Sequence, residues 1–169
     1  MQPKGRSLND TLSDLLRYDP DTGVISWKVN RGRVKAGSEA GYHHKGDNYL
    51  YVKIRPNRYH AHRLAWYLHY GRWPENVIDH INGNGMDNRL CNLREATIGE
   101  NMHNTRRNRN NTSGYKGVCY DKLNRKWMAY VGLEGKFINL GRYETIEEAD
   151  AAARAGRERL HKEFHNHGQ

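Results

Sequence analysis

The spacing of apolar residues changes several times along the first 70 residues. Leucines recur at helical spacing until the turn-rich stretch YDPDTG at 18–23, so the pattern predicts a short first helix. Strand-type runs rich in β-branched and aromatic residues follow, and a second helical pattern ends before Gly71. The runs are 24–29, then 49–54 and 59–62 as a hairpin around the turn 55–58, and the helix is 63–70.

The C-terminal part carries one simple pattern, three short strand-type runs followed by an alanine-rich helix. Thr145 and Glu148 have the spacing of a capping box, which should begin that helix. The predicted unit is a three-stranded antiparallel sheet packed on one helix. The runs are 115–119, 126–131 and 136–140, and the side chains assigned to packing are Phe137, Leu140, Tyr143 and the helix alanines.

The net charge of the chain indicates which kind of partner it binds. The 169 residues carry 28 Lys and Arg against 19 Asp and Glu, a net charge of +9, with 36% hydrophobic residues. This balance predicts a thin core and favours nucleic acid or an anionic membrane surface as partner. No spanning segment or signal peptide is recognised, so we expect a soluble intracellular chain. Cys91 and Cys119 lie far apart without a CxxC motif, which predicts neither a disulfide framework nor a zinc finger.

Basic residues concentrate in two stretches. Residues 27–72 contain ten Lys or Arg and two acidic residues, and residues 104–127 contain seven against one. The segment 104–114, NTRRNRNNTSG, has no apolar residue and is typical of a linker. We therefore place a domain boundary there.

The stretch 77–104, VIDHINGNGMDNRLCNLREATIGENMHN, carries the candidate chemistry. It predicts strand, Gly- and Asn-rich loop, strand and helix in that order. Asp79 and Asn101 can offer oxygens to a hard divalent cation, and His80 can act as a base near neutral pH. Because neighbours in a strand point to opposite faces, Asp79 and His80 must lie where the strand ends. His60 and His62 could form a ligand pair, but a surface pair is the preferred interpretation.

The residues Asp79-His80-Ile81-Asn82-Gly83-Asn84, with Asn88, Asn92-Leu93 and Glu100-Asn101, resemble the HNH motif of phage and intron-encoded homing endonucleases. The preceding YHAHRLAW at 59–66 is similar to the lead-in of the same proteins, and the resemblance spans about 12–104. It implies an α+β chain built on a ββα-metal HNH module with N-terminal strands and a helix.

By this resemblance His80 is the general base, Asp79 and Asn101 bind the metal, and Asn92 ties the loop and orients the His80 ring. Asn101 stands where many HNH proteins have His, which favours Mg²⁺, or Mn²⁺, over Zn²⁺. No structural zinc is expected, since no CxxC ribbon flanks the motif, and no plausible set of metal ligands is recognised in the C-terminal part. His103 and Asn104 are fallback ligands.

The C-terminal residues Gly117-Val118, Trp127-Met128-Ala129, Leu140-Gly141-Arg142-Tyr143 and Thr145-Ile146-Glu147-Glu148-Ala149 resemble the Apetala/ethylene-response-factor type of DNA-binding domain. In that family the sheet lies in the major groove. Cys119 and Gly132 stand where the family has basic residues, so sequence preference is not transferred. The implied DNA-binding residues are Arg106, Arg107, Arg109, Lys116, Tyr120, Lys122, Arg125, Trp127 and Tyr130, although Trp127 also suits a core position.

Together these patterns predict three segments. They are an HNH nuclease region at 1–104, a basic linker at 105–113 and a DNA-binding domain at 114–165. The leading hypothesis is a metal-dependent double-stranded DNA endonuclease, cytoplasmic in a bacterial or phage-infected cell, with no membrane partner. The alternative is a non-catalytic, sequence-specific DNA-binding regulator with a decayed nuclease module. A third, an RNA-binding or structural phage protein, leaves the metal-binding residues without a role.

Overall fold

The structure is a computed structural model that describes residues 8–104, 107–108 and 110–168. It is an α+β protein with small antiparallel sheets. The chain forms two compact units, Met1–Glu95 and Ala96–Gln169. Among the described residues, no helix is long and apolar enough to cross a membrane.

Among its described residues, the first unit contains two α-helices, a short 3-10 helix (Leu90–Asn92) and seven short strands. The strands pair as β1 with β2, as the antiparallel sheet β3-β4-β5, and as β6 with β7. The elements are α1 (Leu8–Leu15), β1 (Leu16–Tyr18), β2 (Ile25–Trp27), β3 (Tyr42–His43), β4 (Leu50–Ile54), β5 (Asn57–His60), α2 (Ala61–Tyr70), β6 (Val77–His80) and β7 (Leu93–Ala96, its last residue in the second unit).

One hydrophobic core holds these elements together. Leu64 and Ala65 of α2 are fully buried, and they pack with Leu12, Leu16 and Val52 in the same cluster. Trp66 also belongs to this core, as predicted, and Leu68 packs against it half-buried. Ile78 of β6 and Leu93 of β7 belong to the same cluster, so the core packs against both strands.

The helix α2 begins earlier than its sequence pattern indicates. His60 ends β5, and Ala61 and His62 already form the first turn of the helix. At the other end, Gly71 takes a left-handed conformation with φ of 70°, and its N–H donates to the Tyr67 carbonyl, which stops the helix as expected for a glycine in this position. The predicted strand 59–62 is therefore wrong at its second half, and His60 and His62 lie on two different elements.

The second unit begins with a short helix and continues as a sheet covered by a long helix. The sheet order is β10-β9-β8, antiparallel throughout, as the sequence predicts. The Thr145–Glu148 capping box is present at the start of the long helix. The elements are α3 (Ile98–His103), β8 (Val118–Asp121), β9 (Lys126–Leu133), β10 (Lys136–Tyr143) and α4 (Ile146–His161).

The core of the second unit is small. Ala149 and Ala153 of α4 are fully buried against Val118 and Ala129 of the sheet, and alanines allow this close approach. Leu140 and Tyr143 pack against this cluster, as predicted. Phe137 does not, because the residue is 79% exposed, so its assignment to packing is wrong.

Candidate active site

Asp79 and His80 are the last two residues of β6, and both are buried. This placement agrees with the expectation that they lie where the strand ends. Their side chains meet different partners: Asp79 contacts Arg94 of β7, whereas His80 contacts Asn88 of the loop 81–92. The end of β6 therefore carries a carboxylate paired with an arginine and an imidazole held by a carboxamide.

The His80 ring is oriented by a hydrogen bond to Asn88. The Nε2 atom lies 3.2 Å from the Asn88 Oδ1 atom. Since a carbonyl oxygen only accepts, Nε2 carries the hydrogen and Nδ1 carries the lone pair. Burial lowers the pKa of His80, although the Asn88 contact and the carboxylates of Asp79 and Asp87 oppose the shift. The ring is consequently neutral at physiological pH, the form that a general base requires.

Two more histidines surround His80 and define a histidine cluster of His60, His62 and His80. The His62 ring lies 5.0 Å from the His80 ring and 5.1 Å from the His60 ring, measured between centroids. The Tyr49 ring packs against all three histidine rings, with centroid distances of 5.3 to 5.9 Å. His62 is only 8% exposed, so the interpretation of His60 and His62 as a surface pair is wrong.

Acid should destabilise the protein through His62, whose pKa burial lowers to about 3. Above pH 6.5 the residue is neutral in both the folded and the unfolded chain. Between pH 6.5 and about 3 only the unfolded chain binds the proton, so the free energy of unfolding falls as pH falls. We expect His62 to contribute a loss of about 3 kcal/mol between pH 6.5 and 4, at roughly 1.4 kcal/mol per pH unit.

Urea unfolding of the wild type and of His62→Gln from pH 8 to 4 measures this contribution. The free-energy difference between the two proteins should be constant from pH 7 to 8, which is the internal control, and should shrink below pH 6.5. A difference that stays constant down to pH 4 would contradict the assignment.

The loop 81–92 is held in place by Asn92. Its Oδ1 accepts a hydrogen bond from the Asn82 backbone N–H at 3.0 Å, and its Nδ2 donates to the Asp87 carbonyl at 2.8 Å. The Asn82 side chain also donates to the Asp87 carboxylate. These bonds agree with the loop-tying role that the resemblance implies for Asn92. The described hydrogen-bond partner of the His80 ring is not Asn92 but Asn88, whose Oδ1 accepts from Nε2.

A turn near the N-terminus supports the same loop from the other side. The Tyr18 hydroxyl donates to the Asn88 carbonyl at 2.8 Å, and the Leu90 N–H donates to the Pro20 carbonyl at 2.9 Å. Gly23, with φ of 76°, packs so closely that a Cβ atom there would lie 2.5 Å from the Arg89 nitrogen. The position of Asn88, and through it that of His80, thus depends on residues 18–23.

Gly85→Ala should distort the site, because a Cβ atom at this position would lie 2.1 Å from the Asn48 carbonyl oxygen and 2.7 Å from the Tyr49 ring. Backbone cannot yield as a flexible side chain does, so we expect a loss of about 1 to 3 kcal/mol of stability, as for overpacked cores, and weaker nuclease activity. Thermal unfolding and a cleavage assay measure both effects.

Gly41→Ala is the matched control for this substitution. A Cβ atom there would meet only the Tyr51 carbonyl oxygen at 3.9 Å, an ordinary contact. Equal melting temperatures for the two alanine variants would show that the loop 81–92 and Tyr49 do not pack as described.

The Asp79 carboxylate is paired with a cation that the sequence analysis missed. Arg94 Nε and Nη2 both lie 2.8 Å from Asp79 Oδ2, and the side chains are 14% and 5% exposed. A buried carboxylate needs such a partner. The pairing of β6 with β7 brings the two side chains together, but the long loop 81–92 between these strands hides their register from the sequence.

The residues at this end of β6 suit a hard divalent ion. Mg²⁺ commonly takes one or two protein carboxylates and completes its shell with water and substrate phosphate. The Asp79 carboxylate has the chemistry of such a ligand, and an ion bound there would compete with Arg94 for it. Among the described residues, no group of three or more His, Cys, Asp or Glu side chains with metal-ligand spacing involves Asp79.

Asn101, the second predicted metal ligand, lies on α3 in the second unit. Thr97 caps this helix, its side chain accepting from the Glu100 N–H while the Glu100 carboxylate accepts from the Thr97 N–H. The Asn101 N–H then donates to the Thr97 carbonyl at 3.0 Å, and its side chain is half-buried. Of the fallback ligands, Asn104 is buried and accepts a hydrogen bond from the Asn166 side chain, and the His103 side chain lies outside the described residues.

The predicted DNA-binding residues divide between the two faces and one turn of the sheet. Trp127 alternates with the buried Ala129 and Val131, so it lies on the face of the sheet that the helix covers. Its cross-strand partner Tyr120 lies on the same face, and the two ring centroids are 5.0 Å apart. Tyr130 lies on the opposite face beside the exposed Phe137, at 5.3 Å. Lys122 and Arg125 are exposed in the turn between β8 and β9.

The remaining predicted contacts have mixed positions. Lys116 is half-buried, and burial and the nearby Arg157 lower its pKa to about 8. Arg107 is exposed and donates to the Gly114 carbonyl. Arg106 and Arg109 lie outside the described residues. Arg142, which is not among the predicted DNA contacts, shares the open face with Met128 and pairs with Asp121 at 2.7 Å.

Comparison with known proteins identifies the class. The segment 59–103, which runs from β5 through the histidine cluster and the loop to the end of α3, matches the family model described as HNH endonuclease. The chain belongs to the HNH endonuclease family. Among curated relatives it is similar to Protein 3.8 of Escherichia phage T7, with 36% identity over 104 residues that cover 61% of this chain and 85% of the relative. No solved structure matches the chain significantly.

Proposed function

We propose that the protein is a metal-dependent DNA endonuclease of the HNH homing type. The observation that carries the proposal is the His80 ring, which is buried, neutral and oriented by Asn88 at the end of β6, inside the segment that matches the HNH family. A neutral imidazole held in one tautomer is prepared to accept a proton. The substrate is proposed to be double-stranded DNA.

In the proposed reaction His80 removes a proton from water. The lone pair on Nδ1 takes the proton, the water oxygen forms a bond to phosphorus, and the bond to the leaving sugar oxygen breaks. The leaving sugar oxygen takes a proton from solvent water, and the imidazolium later returns its proton to solvent. Asn88 keeps the ring in its orientation by accepting from Nε2, and the bond also stabilises the positive imidazolium that forms.

We propose that Asp79 and Asn101 hold a divalent cation, with Mg²⁺ preferred and Mn²⁺ as substitute. A bound cation would stabilise the negative charge that develops on the phosphate oxygens. Arg94 has to share the Asp79 carboxylate with it, and the same guanidinium is a suitable phosphate ligand once it is released. Both ligand assignments follow from the resemblance to the HNH motif and from oxygen chemistry.

We propose that the second unit reads DNA, with the fold and role of an Apetala/ethylene-response-factor domain. Its antiparallel order β10-β9-β8 and the covering helix α4 support this proposal. The open face carries Tyr130, Phe137 and Arg142, and the adjoining turn carries Lys122 and Arg125. We retain 1–104, 105–113 and 114–165 as the proposed functional segments, although α3 belongs to the second compact unit.

The Asp79–Arg94 ion pair favours a second candidate, a DNA-binding protein that does not cleave. A buried carboxylate already neutralised by arginine has less need of a metal ion. A phage-infected or other bacterial cytoplasm is the proposed location for either candidate, and a relative from phage T7 agrees with it.

Cleavage of supercoiled plasmid separates the two candidates. The nuclease should convert plasmid bearing target sites to nicked or linear forms with Mg²⁺ and not with EDTA, and Asp79→Asn should need more Mg²⁺ or lose activity. Binding without any cleavage, over a range of Mg²⁺ and Mn²⁺ concentrations and on a pool of phage and bacterial DNA, would favour the non-catalytic candidate.

A further inference from the structure

Three side chains with metal-ligand chemistry come together at the C-terminal end of the second unit. Glu158 lies on α4, and His165 and His167 lie in the segment that follows the helix. One ligand atom from each lies within 4.8 Å of the other two. The sequence analysis recognised no metal ligands in this part of the chain, because the two histidines are separated from Glu158 by the end of the helix.

The spacing of these atoms suits a tetrahedral ion. His167 Nε2 lies 3.3 Å from Glu158 Oε1. Two ligands at about 2.0 to 2.1 Å from one tetrahedral zinc are about 3.3 Å apart. The His165 and His167 ring centroids lie 5.1 Å apart, and two imidazoles on one zinc have centres about 5 Å apart by the same geometry. Small movements of the side chains would therefore complete the site.

A backbone contact fixes the tautomer of His165 in the form that binds metal. Its Nδ1 donates to the Lys162 carbonyl, at the start of the short 3-10 turn Lys162–Phe164. The lone pair is then on Nε2. A ring N–H donated to a backbone carbonyl is the usual outer contact of a metal-bound histidine, because it holds the ring and its protonation state. This contact is independent of the clustering.

One contact must change when an ion binds. His167 Nδ1 lies 3.4 Å from Arg157 Nη2 and accepts from it, whereas a ring bound through Nε2 carries its hydrogen on Nδ1. Arg157 is anchored separately by a 2.6 Å bond from Nη1 to the Lys116 carbonyl. The His167 ring can thus turn away without releasing Arg157 from the fold.

We propose that Glu158, His165 and His167 form a binding site for a transition-metal ion, with Zn²⁺ the best match and water in the fourth position. Two imidazoles and one carboxylate are a ligand set of zinc sites, whereas Mg²⁺ and Ca²⁺ prefer oxygen ligands. The site is separate in residues and in chemistry from the candidate active site, and it links the segment after α4 to the helix.

Cobalt binding tests the site directly, since tetrahedral Co²⁺ absorbs visible light strongly and occupies zinc sites. The protein is the full chain without an affinity tag, carrying Asp79→Ala to remove the proposed ligand in the first unit, and stripped with EDTA. We expect one equivalent of Co²⁺ to bind with tetrahedral absorption, Zn²⁺ to displace it, and Zn²⁺ to raise the melting temperature by a few degrees. Excess Mg²⁺ should not displace it.

Variants decide which residues bind the ion. Glu158→Gln and His165→Gln should each weaken binding at least tenfold, and the exposed His44→Gln, in the first unit, should bind Co²⁺ as the parent does. Circular dichroism of the metal-stripped variants checks that they fold. Absence of binding at 1 mM Co²⁺, or unchanged binding by both Glu158→Gln and His165→Gln, would overturn the proposal.

Discussion

His80→Ala should reduce the rate of DNA cleavage by about 10² to 10⁴-fold, the usual contribution of a general base. DNA affinity should remain within about twofold of wild type, because the buried ring offers no charge to phosphate at neutral pH. His80→Gln should be equally inactive although it preserves much of the volume beside His62 and the possibility of a bond to Asn88. Single-turnover cleavage at saturating protein and a binding titration in EDTA separate the two effects.

His44→Ala is the control for loss of a histidine, since His44 is exposed in the loop between β3 and β4. It should cleave at the wild-type rate. Because His80 packs against His62, the melting temperatures of both His80 variants must be measured, so that unfolding is not mistaken for lost chemistry. A folded His80→Gln protein that cleaves at the wild-type rate would exclude His80 as the base.

Replacing Lys122 and Arg125 together with Gln should weaken DNA binding by on the order of 60-fold at 0.1 M salt. Each phosphate contact contributes about 0.9 to the slope of log affinity against log salt, so losing two should reduce that slope by about 1.8. Both side chains are exposed in the turn between β8 and β9, where neither is needed for packing. Titrations at several salt concentrations measure the slope as well as the affinity.

Arg159→Gln is the matched control, because Arg159 is exposed on α4, the helix that covers the other face of the sheet. It should change the salt slope little. If the double variant kept the wild-type slope, the β8–β9 turn would not contact phosphate and the proposed role of the second unit would need another surface. Cleavage of a short target duplex at low salt should persist in the double variant, since the candidate active site is intact.

The sequence predicts the secondary structure well where local signals are strong. Thr145, with Glu148 three residues later, forms the predicted capping box, and the structure shows a second capping box at Thr97 and Glu100 that the sequence analysis did not name. Gly71 ends α2 with a left-handed conformation. These signals operate within a few residues, so no knowledge of the tertiary fold is needed to interpret them.

The residues around His80 could not be predicted in the same way. Tyr49 and His62 reach the His80 ring from distant parts of the first unit, and the contacts depend on how β4, α2 and β6 pack. Arg94 meets Asp79 only through the pairing of β6 with β7. The alternation His60-Ala61-His62 suggests a strand, but a helix begins inside it because the buried Ala61, Leu64 and Ala65 pack into the core at helical spacing.

The support of the loop 81–92 by residues 18–23 limits how the nuclease motif can be moved between proteins. Tyr18 and Pro20 bond to the backbone of Asn88 and Leu90, yet they lie outside the segment 59–103 that matches the family. Transfer of 59–103 alone into another protein would include the proposed catalytic side chains but not Tyr18 and Pro20, whose hydrogen bonds hold the backbone of Asn88 and Leu90. Such a chimera needs other hydrogen-bond partners for the backbone of Asn88 and Leu90 before His80 can be expected to act as a base.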